Sequence, residues 1–362
     1  MDKRTFLKIS GIVGAGMAFA PMACSSAASG EYAWNRNWMW LSADKKKSDD
    51  DWRKLFATLK DAGISGVLMG GDVPMYEKII PLAGEFGIDV HAWMWTLNRP
   101  GDKEAQKHPD WYTVSRKGDS CFDVHPYVDY YQWVCPSKEE VYQHIEQQVK
   151  DLAAVEGLKG IHLDYVRYSD VILAKALQPV YGLVQDKEYP EYDFCYCQTC
   201  RDTFLKESGI DVYELEDPTQ SAEWRQYRYD SVTRLVNRLV ETAHANDKLI
   251  SAAVFPYPDL ARFICRQSWD DWNLDAFFPM IYQNFYDEDM AWIKSSTQKG
   301  VSDLNGRAPI ITGLYLPEIP EGQFPAAVEN SFAGGAKGVA LFGLGQFDDK
   351  HIQTMKSWQK KR

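Results

Sequence analysis

Short apolar runs alternate along the chain with longer amphipathic stretches. The runs cover residues 37–42, 66–70, 89–95, 160–167, 249–255, 276–282, 310–315 and 338–344. Apolar positions at helical spacing mark residues 50–62, 76–86, 138–155, 222–246, 287–299, 325–335 and 351–361. A strand covered on both faces reads as a continuous apolar run, and such runs alternating with helices specify parallel βα units. Eight units predict a single (β/α)8 TIM barrel, in which closure buries every strand on both faces. No fixed-period repeat or compositional linker splits the chain after residue 31, so residues 34–362 are read as one α/β domain.

The connections are unequal. About 40 residues follow the third strand before the next helix, and about 55 follow the fourth; loops this long on the C-terminal face of a barrel are where sites are built. Function is therefore expected after strands three and four.

The fourth run, Gly160-Ile161-His162-Leu163-Asp164-Tyr165-Val166-Arg167-Tyr168, is the most informative stretch. Strand alternation places His162, Asp164 and Val166 on one face, with Ile161, Leu163 and Tyr165 on the other. The second face suits packing under a helix, so His162 and Asp164 should look into the barrel. A carboxylate there costs desolvation energy unless paired. Asp164 thus reads as catalytic, or else as the partner of Arg167 at the rim. In the third run His91, Trp93 and Trp95 alternate with Val90, Ala92 and Met94, and the first run adds Trp38 and Trp40 in the same manner. Such residues either line a ligand wall or fill the core.

Composition and charge narrow the partners. The chain has 13 Trp and 20 Tyr and a net charge of −11. Binding to nucleic acid draws its affinity from Lys and Arg displacing counterions, so an acidic chain excludes that class. Aromatic faces suit stacking on sugar rings, although a large core also absorbs them. Residues 1–23 read as an export signal: Lys3, Arg4 and Lys8 precede an apolar run over 9–20 that is too short to span a bilayer. Pro21-Met22-Ala23-Cys24 resembles a lipobox, which makes Cys24 a lipid anchor and residues 24–33 a tether. An ordinary cleaved signal with a chance cysteine is the alternative. Removing the signal, which carries those three cations and Asp2, takes the charge from −11 to −13. The expected location is the periplasm or cell surface of a bacterium, and the acidic surface points to neutral glycans.

A resemblance adds to this. His108-Pro109-Asp110-Trp111, Gly118 and the strand-four segment are followed by Gln267-Ser268-Trp269-Asp270-Asp271-Trp272 and by Asp275-Ala276-Phe277-Phe278-Pro279-Met280-Ile281-Tyr282. In this order, over residues 35–345, the set resembles the bacterial glycosyl-hydrolase-like barrel family described as family-10-like. Gln267-Ser268-Trp269 stands where that family has Gln-Asp-Trp. The resemblance implies an exported (β/α)8 enzyme acting on glycosides. Glycoside hydrolysis uses two carboxyls across the scissile bond. Asp164 is one, and Leu163-Asp164 looks closer to α-glycosidase barrels whose fourth-strand Asp is the nucleophile. The partner candidates are Glu318 and then Asp259, with Asp287 behind them; each could equally be a solvated loop acid or a helix cap. The expected sugar-binding wall is Trp40, His91, Trp93, Trp95, His162, Arg167, Tyr168 and Tyr282. A surface glycan-binding protein on the same scaffold, without catalysis, is the alternative function.

Cys195-Tyr196-Cys197-Gln198-Thr199-Cys200 lies in the long loop after strand four, and Cys121 lies in the other long loop. Four thiolates can converge on one tetrahedral zinc. A similar Cys-x-Cys-x-x-Cys occurs in glycoside hydrolase family 42 β-galactosidases, where it holds a structural zinc with one upstream Cys. Disulfides are the alternative in an exported protein, with Cys135 and Cys265 left free. No phosphate-binding or dinucleotide-binding glycine motif follows a strand, and no organic cofactor is expected.

Overall fold

The computed structural model describes residues 32–359. The expected export signal at 1–23, the expected anchor Cys24 and most of the expected 24–33 tether lie outside the described residues. From residue 34 onward the chain forms one compact unit.

Eight strands make one parallel sheet: β1 (Asn37–Ser42), β2 (Ile64–Gly70), β3 (Asp89–Trp95), β4 (Gly160–Asp164), β5 (Leu249–Val254), β6 (Ala276–Pro279), β7 (Ile311–Tyr315) and β8 (Gly338–Phe342). Strands β1 to β6 pair in sequence, and β8 pairs with β1 and β7. The ring is completed by two parallel bridges, Phe277 with Ile310 and Met280 with Gly313. Around it run α1 (Asp49–Asp61), α2 (Val73–Gly84), α3 (Glu139–Ala153), α4 (Gln198–Ser208), α5 (Ala222–Ala245), α6 (Pro258–Cys265), α7 (Met290–Leu304), α8 (Phe324–Ala333) and α9 (Asp349–Gln359). This is the (β/α)8 barrel that the alternation predicts.

Local chemistry sets the boundaries that differ from expectation. Helix α2 begins at Val73, three residues early, because the Asp72 side chain accepts the Met75 N–H and Pro74 fits the first turn. Helix α7 begins at Met290 because Asp287 is left-handed (φ 60°) and Asp289 caps the Trp292 N–H. Strand β4 stops at Asp164 because Tyr165 turns into the left-handed region at φ 48°. Helices α4 and α6 lie in segments the sequence leaves as loop; eight residues of α6 are too short for a clear period.

The barrel interior is packed with rings. At the lower level Trp38 meets His91 and Phe278 at 4.8 and 5.5 Å between centroids. Above it His162 meets Phe278 at 4.9 Å and Trp40 at 5.7 Å. Neighbouring strands make room with glycine. A Cβ on Gly66 would lie 2.4 Å from Trp38, and one on Gly160 2.6 Å from His91, so large and absent side chains alternate around the ring. Much of the aromatic excess is therefore core.

Candidate active site

Asp164 ends β4 at the C-terminal mouth of the barrel and is nearly buried. Its Oδ1 accepts the Tyr165 backbone N–H at 2.7 Å, and Oδ2 accepts the Trp93 indole N–H at 2.9 Å. Burial pushes its carboxyl above the ordinary range. The Tyr165 N–H, the Trp93 indole and the nearby Arg167 charge pull the other way and offset this in part. The left-handed turn at Tyr165 breaks the strand alternation: Val166 goes to the outer core, and the Tyr165 ring packs on Trp95 at 4.6 Å. Backbone held in this region beside a buried carboxylic acid marks a candidate site.

Asp164 opens into a cavity of about 380 Å³ walled by aromatic side chains. Strands β1 and β3 contribute Trp40, Trp93 and Trp95, the ends of β7 and β8 contribute Tyr315 and Phe342, and the loop after β6 contributes Tyr282. The long loop after β3 supplies Tyr127, Tyr130 and Tyr131, while the loop after β4 supplies Arg167 and Asp170. Asp164 and Asp170 are the two acids of its lining. Arg167 Nη1 donates to Asp170 Oδ2 at 3.1 Å and to the Tyr168 carbonyl at 2.8 Å, and its guanidinium lies 4.8 Å from the ring centroids of Trp133 and Phe255. The Tyr131 hydroxyl donates to Asp170 Oδ2 at 3.4 Å. The Tyr127 hydroxyl donates to the Asp170 carbonyl at 2.8 Å and accepts from Gln185, and its ring stacks on Tyr192 at 4.3 Å. The two long loops are thus clasped over one cavity.

The expected wall divides. Trp40, Trp93, Trp95, Arg167 and Tyr282 line the cavity. His91 and His162 face inward but lie below it, fully buried; His162 Nδ1 pairs with Ser251 Oγ at 2.9 Å. Burial pulls His91 down to about 3 and His162 well below its usual value, so both are neutral core residues. Tyr168 points away, its hydroxyl 2.7 Å from Ser231 on α5. The partner carboxyls lie elsewhere. Glu318 is exposed after β7, with Asn284 donating to its Oε2 at 3.4 Å. Asp259 lies in a separate polar cleft, paired with Lys299 at 2.9 Å, and Asp287 is exposed against Lys175 at 2.7 Å. The sequence reading missed Asp170, which lies in a segment without regular structure and so carries no periodic signal.

Four buried thiols, of Cys135, Cys195, Cys197 and Cys200, lie within 4.8 Å of one another. The fourth member is Cys135, not Cys121, whose Sγ sits 3.9 Å from the Tyr131 carbonyl instead. The Cys135 sulfur is 3.4 Å from that of Cys200 and 3.7 Å from that of Cys197. Tetrahedral ligands at ~2.3 Å from zinc lie about 3.8 Å apart, so the set fits the ion. Backbone N–H groups of Val114 and Cys197 point at Cys195 Sγ at 3.4 and 3.5 Å, an arrangement that suits a thiolate. None of the six described cysteines is in a disulfide.

No protein-family model and no curated protein matches the chain, so the family-10-like resemblance rests on its motifs. Solved structures do match. The catalytic domain of a β-amylase from Paenibacillus polymyxa superposes with TM-score 0.57 at 12% identity, over 88% of this chain and 95% of that one. A β-galactosidase from the psychrophilic Marinomonas ef1 gives TM-score 0.63 at 9% identity, over 90% of this chain and 59% of that one. A GH42 β-galactosidase from G. stearothermophilus gives 0.61 at 11% identity, over 90% and 57%. The chain thus spans somewhat over half the length of these β-galactosidases. At these identities the likeness is one of fold, a (β/α)8 barrel shared with these enzymes.

Proposed function

We propose that the protein is an exported glycoside hydrolase acting on neutral saccharides, anchored to the membrane through Cys24 and holding a structural zinc on Cys135, Cys195, Cys197 and Cys200. The observation that carries the reading is a buried carboxylic acid, held by the Trp93 indole and the Tyr165 N–H, that shares an aromatic cavity at the barrel mouth with a second carboxyl. Asp164, retaining its proton to higher pH than an exposed acid, donates it to the glycosidic oxygen. Asp170 is the opposing carboxylate, acting as nucleophile or as base on water. The walls formed by Trp40, Trp93, Trp95 and Tyr282 stack on the sugar and keep bulk water out. The likeness of fold to a β-amylase and β-galactosidases supports a saccharide in this cavity.

A second reading has its own support. The Asp170 carboxylate is already engaged by Arg167 and Tyr131, and hydrolysis calls for two available carboxyls, so the same cavity could bind a glycan without cleaving it. Turnover of a panel of aryl α- and β-glycosides separates the two. Hydrolysis by the wild type, lost in both Asp164→Asn and Asp170→Asn, supports the enzyme; glycan binding by calorimetry with no turnover of any substrate selects the binding protein.

A further inference from the structure

Trp93 and Trp95 line two spaces. One is the aromatic cavity around Asp164; the other is an open groove of about 740 Å³ between the loop after β2 and the loop after β3. The groove differs in chemistry from the cavity. Its walls include Asp72, Asn98, Arg99, Asp102, Lys103 and Gln148. We propose that this groove is a saccharide subsite continuous with the Asp164 cavity, so that the substrate is an oligosaccharide or chain crossing the Trp93–Trp95 wall, not a lone sugar. The proposal rests on the glycoside reading of the cavity.

The pattern of used and spare hydrogen-bonding groups names the ligand class. The acceptors are consumed internally. Asp102 Oδ2 lies 2.8 Å from His144 Nε2, accepts from Gln148 at 3.3 Å and lies 3.5 Å from Arg99 Nη1. Asp72 is taken by Lys45 at 2.7 Å, and Gln148 Oε1 accepts from Arg99 Nη2 at 2.6 Å. The groups left over are donors. Asn98 is fully buried, and its Oδ1 accepts the Gln132 N–H at 2.9 Å, which fixes the amide; its Nδ2 has no partner among the described residues. Arg99 Nε is likewise without one, and burial draws the guanidinium down to about 10. A buried donor without an acceptor is costly, and the missing acceptor is what a ligand would bring. Asp72, Asp102 and Asp151 outnumber Arg99 and Lys103, so the groove does not favour an anion. Hydroxyl and ring oxygens of a neutral sugar meet both conditions, and the two indoles give it a stacking edge on leaving the cavity.

The test uses soluble oligosaccharides of two to six units in the β-1,4-glucose, α-1,4-glucose and β-1,4-N-acetylglucosamine series, beside the aryl monoglycosides. Two variants address the groove. Lys103→Trp fills it from an exposed position, and Asn98→Asp keeps the acceptor for Gln132 while removing the spare donor. In the wild type, kcat/KM for one series should exceed that for the aryl monoglycoside by about tenfold or more, equivalent to ~1.4 kcal/mol, and each variant should lower that ratio by about tenfold. A ratio unchanged in Lys103→Trp overturns the subsite while leaving the enzyme reading intact. Calorimetry on the same proteins needs no turnover. Affinity that climbs with chain length in the wild type and stays flat in Lys103→Trp establishes the subsite even if no glycoside is hydrolysed.

Discussion

Replacing Arg167 with Met probes the charge balance of the cavity. Arg167 and Asp170 each have 7% side-chain exposure and pair at 3.1 Å. Removing one member of such a pair leaves the other charge buried without compensation, which costs about 3–5 kcal/mol. A domain of ~330 residues has an unfolding entropy of about 0.7 kcal/mol per kelvin near its midpoint, so Tm should fall by about 4–7 °C. The methionine keeps much of the stem's contact with Trp133 and Phe255 but loses the cation–π attraction, which adds to the fall. Asp170→Asn should cost a similar amount. The double variant removes both charges and should return to within about 2 °C of the wild type. Scanning calorimetry on the four proteins gives the coupling directly. Additive losses in the double variant, or a fall below about 1 °C for Arg167→Met alone, would refute the picture of a compensated buried pair. The same proteins divide the roles of Asp170. A double variant that is stable but inactive, beside an Arg167→Met variant that keeps activity, requires Asp170 in the chemistry, whereas an active double variant leaves it only the task of holding Arg167.

Asp164→Asn should be inactive and should also change how stability depends on pH. The folded-state carboxyl sits above its unfolded value, so ionisation disfavours the fold; stability from this group is full at low pH and declines as pH rises from the ordinary carboxyl range through the folded value. The Tm of the Asn variant should therefore gain on the wild type as pH rises above about 4, the ordinary carboxyl range, and a difference that stays constant with pH would contradict the burial argument. Metal analysis should find about one zinc per chain in the wild type and in Cys121→Ser, and almost none in Cys135→Ser; equal contents in the two variants would displace Cys135 from the site. Asp193→Asn should cost about 3–5 kcal/mol, measured by urea unfolding, because the fully buried Arg228 loses its carboxylate and Tyr196 the partner it holds at 2.7 Å. A loss under about 1 kcal/mol would mean that Arg228 finds another partner.

Strands β1 and β3 have the bounds read from the sequence, because their alternation of ring and aliphatic residues is itself the inside–outside pattern of a barrel wall. The same logic placed Asp164 inside but not how high His91 and His162 stand within the ring; height depends on stagger between strands, which no single strand records. The parity argument also failed one residue past Asp164, where the left-handed Tyr165 sends the next side chains to opposite sides from those a strand would give. Asp170, Tyr127 and Tyr131 sit in segments without periodicity, and their convergence follows from loop contacts such as the Tyr127–Tyr192 stack. The cysteines show the same limit: the triplet is local and visible, but choosing between Cys121 and Cys135 needed the path of the loop after β3. Glu318 and Asp259 were selected for lying after strands, where most acids are simply solvated.

The packed rings beneath Asp164 have a consequence for traffic. Trp40 forms part of the cavity wall, and His162 and Phe278 fill the space below it, so the chamber is blind-ended along the barrel axis. On the proposed glycoside reading a saccharide could not thread through and would enter and depart by the same mouth. On that reading the unit seated deepest would leave last, after the portion nearer the rim has moved aside, so egress of the inner fragment would be the bottleneck and that fragment a competitor of incoming substrate.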